Sequence, residues 1–160
     1  MSDLQAFRSE LVALLPRLRR FARSLTGHPA DADDLVQLAV ERALLHWRQW
    51  RPGTRLDAWM FGVLRNAWID ELRGRQRRAK VFVPEELGET VGDASDEQQQ
   101  TALAINQALA ALSVEHREVV ALVLVEGFSY DEAAQLLEIP VGTLTSRLSR
   151  AREALAEAMK

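Results

Sequence analysis

Helical periodicity, broken once by a long interruption, is the feature that most limits how this 160-residue chain folds. Apolar residues recur at helical spacing on both sides of residues 81–100, and the alternating pattern of strands is nearly absent. The interruption contains Pro84, two glycines, six acids and no base, which is typical of a linker. The sequence therefore predicts an all-α protein with two small helical domains at 1–80 and 101–160, joined by a flexible acidic linker at 81–100.

Start and stop signals divide the two predicted domains into helices. Asp31 is predicted to cap the second helix, and Ser129 and Glu132 have the spacing of a capping box at the start of a later one. Gly27 with Pro29, and the later segment RPGT, provide stops. The predicted helices cover about 4–25, 32–50, 56–78, 130–137 and 141–158.

The two halves of the sequence carry opposite net charges. The half at 1–80 holds 15 Lys/Arg and 9 Asp/Glu, a net of +6, whereas the half at 81–160 holds 5 and 14, a net of −9. The overall net charge of −3 conceals this difference. Such asymmetry indicates that the two halves face different surfaces.

Several classes of function lack their sequence signals. There is no cysteine, so disulfide frameworks and thiolate chemistry are excluded. No apolar signal core or run of about 20 apolar residues appears, which predicts a soluble, cytoplasmic chain without membrane insertion. His28, His46 and His116 stand far apart without companion ligands, and no phosphate loop or nucleophile elbow is present. We expect no enzymatic activity, no metal, no cofactor and no small-molecule substrate.

The segment from Phe128 to Glu153 has the pattern of a helix-turn-helix. A short capped helix is followed by a tight turn and a longer helix after Pro140. One stripe of the longer helix is apolar and is predicted to face inward: Leu144, Leu148, Ala151 and Leu155. The opposite face is polar and basic, as in helices that enter the major groove, with Thr145, Ser146, Ser149 and Arg150, and with Arg147 on its flank. A merely solvated helix face is the alternative.

The predicted helix over 56–78 combines an apolar stripe with a basic end. Five of the eight residues at 73–80 are Arg or Lys, which suits a phosphate backbone. Trp59 and Trp68 are predicted to be core residues rather than base-stacking platforms. Phe61 and the loop 51–57 are predicted to lie nearer to single-stranded bases. Five polar residues lie mostly off the stripe: Arg65, Asn66, Asp70, Arg73 and Arg77.

The predicted second helix has a wide apolar face. Its polar residues remain outside that face: Asp33, Asp34, Gln37, Glu41 and Arg42. An ordinary amphipathic helix packed on its neighbours has the same pattern, so the periodicity alone does not indicate a binding surface.

These three segments, in this order, resemble the extracytoplasmic-function (ECF) sigma factors of RNA polymerase. DADDLVQ with the later Arg42-Ala43 resembles the polymerase-binding helix of that family. Trp59 followed by Asn66, Asp70 and Arg73 resembles its −10-reading and melting region, and IPVGTLTSRLSRAR its −35-reading helix. LPRLRRFARSLTG and RPGT further resemble the general-stress subgroup of alphaproteobacteria.

The resemblance implies a sigma factor that binds core RNA polymerase and directs promoter recognition, melting and initiation in a stress response. It implies promoter DNA and an anti-sigma protein as further partners. The implied polymerase-binding set is Asp33, Asp34, Gln37, Glu41 and Arg42, and the set implied to contact the −10 element is Arg65, Asn66, Asp70, Arg73 and Arg77. The set implied to contact the −35 element is Thr143, Thr145, Ser146, Arg147, Ser149 and Arg150. The alternative is a sigma-mimicking regulator that sequesters an anti-sigma protein.

Three residues depart from the family pattern. Leu38 stands where an acid is common, so one polymerase contact of the relatives cannot be transferred to this chain. Glu138 replaces the usual turn glycine, so the turn either avoids positive φ or is strained. Thr145 stands where a basic residue is common, so the −35 preference of relatives cannot be transferred to this chain.

Overall fold

The computed structural model describes residues 2–79, 100, 104 and 107–160, and this part of the chain contains helices but no strand. The α-helices are accompanied by a 3₁₀ turn, Trp47–Gln49, and by a π-helical turn, Val120–Val125. The prediction of an all-α fold is confirmed. The predicted linker lies outside the described residues except for Gln100, which is helical. The helices with described bounds are α1 Asp3–Thr26, α2 Pro29–Leu45, α3 Leu56–Ala79, α4 Val114–Val119, α5 Tyr130–Leu137 and α6 Val141–Ala158, and residues 107–110 are helical as well.

Local capping signals set the ends of α1 and α5. The backbone N–H of Gln5 donates to the Ser2 hydroxyl at 3.2 Å, and the Ser2 N–H donates to the Gln5 side chain at 3.1 Å. Ser129 and Glu132 form the same reciprocal pair at 3.1 and 3.0 Å, which confirms the predicted capping box. Gly27 ends α1 with φ 77°, a conformation that glycine adopts without a Cβ clash.

The start of α2 differs from the prediction. The helix begins at Pro29, whose missing N–H is harmless in a first turn, and His28 takes the N-cap position without a side-chain hydrogen bond. Asp31 lies inside the first turn, so its predicted role as the cap is wrong. Its carboxylate there still interacts favourably with the helix dipole.

The predicted second helix is also too long, because α2 ends at Leu45 rather than near Trp50. The N–H of His46 is shared between the carbonyls of Arg42 and Ala43, at 3.0 and 3.2 Å, which tightens the chain into the 3₁₀ turn. This turn places the Trp50 ring 5.8 Å from that of Phe7. Aromatic packing against α1 therefore ends the helix where the periodicity alone would continue it.

Helices α1, α2 and α3 pack into one bundle in the N-terminal half, residues 2–79. Trp68 is buried, and the half-buried Trp59 points an edge at the Phe7 ring, 6.0 Å away between centroids. Both tryptophans contribute to the core, as predicted. None of the helices in the described ranges is long and apolar enough to cross a membrane.

Phe61 connects this bundle to the C-terminal half, residues 107–160. Its side chain is 0% exposed, with ring centroids 4.9 Å from Phe21 and 5.3 Å from Phe128. The prediction that Phe61 lies near single-stranded bases is therefore wrong. The buried arc of α3 is wider than the predicted stripe, because it packs on α1 and on the C-terminal half together.

Helices α5 and α6 form the predicted helix-turn-helix. Leu144, Leu148 and Ala151 are buried, and Leu155 packs against them, so the inward stripe of α6 is confirmed. Glu138 sits in the turn with φ 57° and ψ 43°, the left-handed conformation that favours glycine. The sequence allows a turn that avoids positive φ or a strained one, and the structure shows the strained turn. Its geometry lets the Ile139 N–H donate to the Ala134 carbonyl at 3.0 Å and close α5.

Glu138→Gly is expected to raise the free energy of unfolding by about 1 kcal/mol, because glycine removes the left-handed penalty. Glu138→Ala removes the same carboxylate but keeps a Cβ, so no comparable gain is expected. Urea denaturation of the three proteins measures the difference. An equal gain in both variants would mean that the carboxylate, rather than the backbone, is the source of the strain.

Candidate nucleic-acid interface

The outer face of α6 is open to a partner. Ser146, Ser149 and Arg150 are exposed, and Arg150 forms no ion pair within the described part of the chain. The Thr145 hydroxyl donates to the Val141 carbonyl at 3.0 Å, so its hydrogen is already engaged. The face therefore presents two free hydroxyls and a guanidinium side by side, which suits base edges and phosphates.

On the flank of this face, Arg147 forms an ion pair within the C-terminal half. The half-buried Arg147 guanidinium lies 3.7 Å from the Glu115 carboxylate at the start of α4. Thr143, in the first turn of α6, is half-buried as well. These two members of the predicted −35 set therefore lie at the edge of the open face, whereas Ser146, Ser149 and Arg150 lie at its centre.

The C-terminal part of α3 presents a basic surface. Arg73 and Arg77 are exposed one turn apart and line an open depression together with Asp70 and Gln76. Residues four apart on a helix lie on the same face, so these two guanidinium groups reach the same side. Asn66, about two turns before Arg73, lines a cleft of about 390 Å³ with His46, Trp59 and Leu136.

The predicted polymerase-binding set and the predicted −10 set meet at one ion pair. Arg42 of α2 donates from Nη1 to the Asp70 carboxylate of α3 at 2.9 Å. Gln37 donates to Glu41 at 3.4 Å. The remaining residues of the polymerase-binding set lie in the open along α2, namely Asp33, Asp34, Gln37 and Glu41. The outer face of α2 is therefore free, while Asp70 is engaged by its neighbour.

Arg65 differs from the rest of the predicted −10 set because it lies between the two halves. Its Nε donates to a carboxylate oxygen of Glu118 in α4 at 3.1 Å, and the two side chains are 18% and 3% exposed. Burial raises the pKa of Glu118, and the adjacent Arg65 offsets that rise only in part. Arg65 thus faces a carboxylate of its own chain rather than solvent.

Two further contacts across the halves were not predicted. Glu126 accepts hydrogen bonds from Arg17 and Arg20 of α1, and Glu132 forms an ion pair with Arg55. The opposite net charges of the two halves were the available signal. These charges predict that the halves face different surfaces, whereas in this structure the charged residues also face each other.

Comparison with known proteins covers both halves. Residues 11–78 match the family model of Sigma-70 region 2, and residues 102–155 match that of Sigma-70, region 4. The ECF RNA polymerase sigma factor EcfG of Rhodopseudomonas palustris is 37% identical over 155 residues, 94% of this chain and 83% of that relative. SigF of Caulobacter vibrioides, another ECF RNA polymerase sigma factor, is 34% identical over 159 residues, covering 99% and 88%.

A solved structure shows the same fold. The sigma factor RpoE from Bartonella quintana, in a co-crystal with the anti-sigma factor NepR, superimposes with a TM-score of 0.80. It is 34% identical and covers 97% of each chain. These relatives confirm the predicted resemblance, including that to the alphaproteobacterial general-stress subgroup. Because both sigma-70 regions occur in order, and relatives that are 37% and 34% identical align with nearly the whole chain, the protein belongs to the ECF RNA polymerase sigma factors.

Proposed function

We propose that this sigma factor binds core RNA polymerase and reads promoters with a division of labour along the chain. Residues 1–80 bind polymerase and the −10 element, residues 81–100 are the acidic linker, and residues 101–160 read the −35 element. The observation that carries the proposal is the open outer face of α6 on a capped helix-turn-helix, in a chain with both sigma-70 regions.

The outer face of α2 is the proposed polymerase contact. Leu44 and Leu45 are exposed at its C-terminal end, next to the acidic residues of the same helix. Exposed leucines beside exposed acids fit a protein partner with an apolar patch and a basic rim. The proposed residues are Asp33, Asp34, Gln37, Glu41 and Arg42.

The −10 contact is assigned to α3. Asn66, Arg73 and Arg77 are accessible as the chain stands, whereas Arg65 and Asp70 become available only when Glu118 and Arg42 release them. The −35 contact is assigned to α6, with Ser146, Ser149 and Arg150 at its centre and Thr143 and Arg147 at its edge. The exposed Thr145 completes the set.

We further propose that an anti-sigma protein restrains this factor in the cytoplasm until a stress signal releases it. The support is the likeness to RpoE, which was crystallised with NepR. The protein has no catalytic role of its own in this proposal. Phosphodiester chemistry belongs to the polymerase.

Run-off transcription tests the proposed function. Core polymerase with this protein is expected to give a discrete transcript from a cognate promoter and none after the −35 element is scrambled. Core polymerase alone is the control. A sigma-mimicking regulator would give no transcript from any promoter and would instead bind an anti-sigma protein.

Arg150→Ala is expected to lower −35-dependent transcription about tenfold, because one good arginine contact to a base contributes roughly 1–3 kcal/mol of discrimination. Ser149→Ala should change sequence preference more than output, since serine carries no charge. Arg8→Ala, on the exposed surface of α1, is the charge-matched control and should leave output unchanged. Full activity of Arg150→Ala on every promoter with an identified −35 element would contradict the assignment of this face.

A further inference from the structure

Within the described ranges, arginines of the N-terminal half bind carboxylates of the C-terminal half at three places. The three carboxylates belong to α4, to the residue after the π-helical turn, and to α5: Glu118, Glu126 and Glu132. The arginines belong to α1, to the residue before α3, and to α3: Arg17, Arg20, Arg55 and Arg65. Every one of these pairs joins a cation of the basic half to an anion of the acidic half.

Glu126 is the central group of this interface. Its carboxylate is 0% exposed and accepts three hydrogen bonds, from Arg17 Nε at 3.1 Å and from Arg20 Nε and Nη2 at 2.7 and 2.9 Å. The fork of Arg20 on both oxygens is the strongest arrangement that a guanidinium and a carboxylate adopt. The π-helical turn places Glu126 there, since its N–H donates to the Ala121 carbonyl at 2.9 Å, five residues back.

An aromatic pair shields part of the interface from water. Phe61 and Phe128 meet edge to face, and the Arg17 guanidinium lies 5.3 and 5.9 Å from their ring centroids. Arg55 lies 5.0 Å from the centroid of Phe128. Cations over ring faces gain attraction, and partial loss of water strengthens their pairing with nearby carboxylates.

Asp57 orients two of the arginines from their own half. It accepts from Arg17 Nη1 at 3.1 Å and from Arg55 Nη2 at 2.8 Å. Burial alone would raise the pKa of Asp57, but these hydrogen bonds and one from the Ala58 N–H lower it overall. Asp57 therefore stays ionised and holds both guanidinium groups in position for Glu126 and Glu132.

We propose that Glu118, Glu126 and Glu132 with their four arginines form a carboxylate latch that keeps the free protein closed and autoinhibited. In the closed form the carboxylates occupy arginines that a phosphate backbone would otherwise bind. Arg65 is the clearest case, and the DNA part of the inference rests on its proposed −10 role. Promoter binding requires the latch to open, so free protein binds DNA weakly.

The composition of the latch makes it reversible. Arg20 and Arg55 are about half exposed, so salt reaches their side of the pairs, and it screens the pair with the partly exposed Glu132 more than the pair with the buried Glu126. The Phe61–Phe128 pair is the aromatic contact between the halves among the described residues, and it belongs to a buried apolar cluster with members in both halves. A partner that binds the two halves separately can therefore compete with the latch.

The closed state is tested by the distance between the halves in the full chain. The protein lacks cysteine, so Ala13→Cys and Ala156→Cys, both at exposed positions, provide specific sites for a donor and an acceptor dye. The latch variant is Glu126→Gln with Glu132→Gln, since glutamine at position 132 still completes the capping box of α5. Glu153→Gln with Glu157→Gln, both exposed on α6, is the control with the same charge change.

Energy transfer in the wild-type background is expected to fall as salt rises from about 0.05 M to about 1 M, because the screening length shrinks. The latch variant should already show the high-salt value at low salt, and the control should follow the wild-type curve. The latch variant should also bind a promoter fragment about tenfold more tightly at low salt without polymerase. Circular dichroism verifies that all variants keep their helix content.

Three results would overturn the latch. They are a latch variant that stays as closed as wild type at every salt, a control that opens equally, and an open variant with unchanged DNA affinity. None of these results depends on transcription. A failed run-off assay would count against the proposed sigma function, whereas these measurements judge the latch itself.

Discussion

Phe61→Ala is expected to lower the free energy of unfolding by about 3–5 kcal/mol. Phe61 is fully buried and contacts Phe21 in its own half and Phe128 in the other, at 4.9 and 5.3 Å between ring centroids. Truncation leaves a cavity between these rings and removes both aromatic contacts, which adds to the loss of buried area. Urea denaturation followed by circular dichroism measures the change.

Two controls separate burial from a general effect of truncation. Phe61→Leu keeps most of the apolar volume and should cost clearly less than Phe61→Ala. Leu45→Ala removes a side chain of a residue that is 78% exposed and should change stability by no more than about 0.5 kcal/mol. A stability loss for Phe61→Ala as small as that for Leu45→Ala would contradict the buried position of Phe61. It would then favour a position of Phe61 beside unpaired bases.

Arg65→Ala is expected to cost about 3–5 kcal/mol of stability at neutral pH, because it leaves the carboxylate of Glu118 buried without its cation. Burial raises the pKa of Glu118 even with Arg65 present. A carboxyl whose pKa is raised on folding binds protons more tightly in the folded state. The stability that this tighter proton binding gives the folded state is complete below the ordinary carboxyl pKa, and it is lost as pH rises through the raised pKa.

The loss caused by Arg65→Ala should therefore be largest at neutral pH and shrink as acid protonates Glu118. Thermal denaturation between acidic and neutral pH should show this trend for Arg65→Ala. The double variant Arg65→Ala with Glu118→Gln should be more stable than Arg65→Ala at neutral pH, and its stability loss should not depend on pH. A loss that is the same at every pH, or that Glu118→Gln does not relieve, would show that Arg65 stabilises the fold through packing rather than through this ion pair.

Local signals in the sequence were sufficient for the helix-turn-helix and for most helix ends. Ser129 and Glu132 stand three residues apart and satisfy each other's neighbouring backbone, so no distant residue is needed to start α5. The inward stripe of α6 follows from a period of 3.6 residues in the same way. The end of α2 could not be predicted from local signals, because Phe7, far away in the sequence, packs on Trp50 and favours the 3₁₀ turn.

The partners of Arg65 and Phe61 were decided by the tertiary structure. Periodicity says that a residue lies on an apolar or polar face of its own helix, but it does not say which element covers that face. Arg65 pairs with Glu118, 53 residues later, and Arg20 with Glu126, 106 residues later. The sequence determined opposite net charges for the two halves and thus an attraction between them. Which charges meet was decided only by the packing of α3 on the C-terminal half, where Phe128 lies against Phe61 and the π-helical turn precedes Glu126. Ion pairs require contact distances, and composition does not specify those distances.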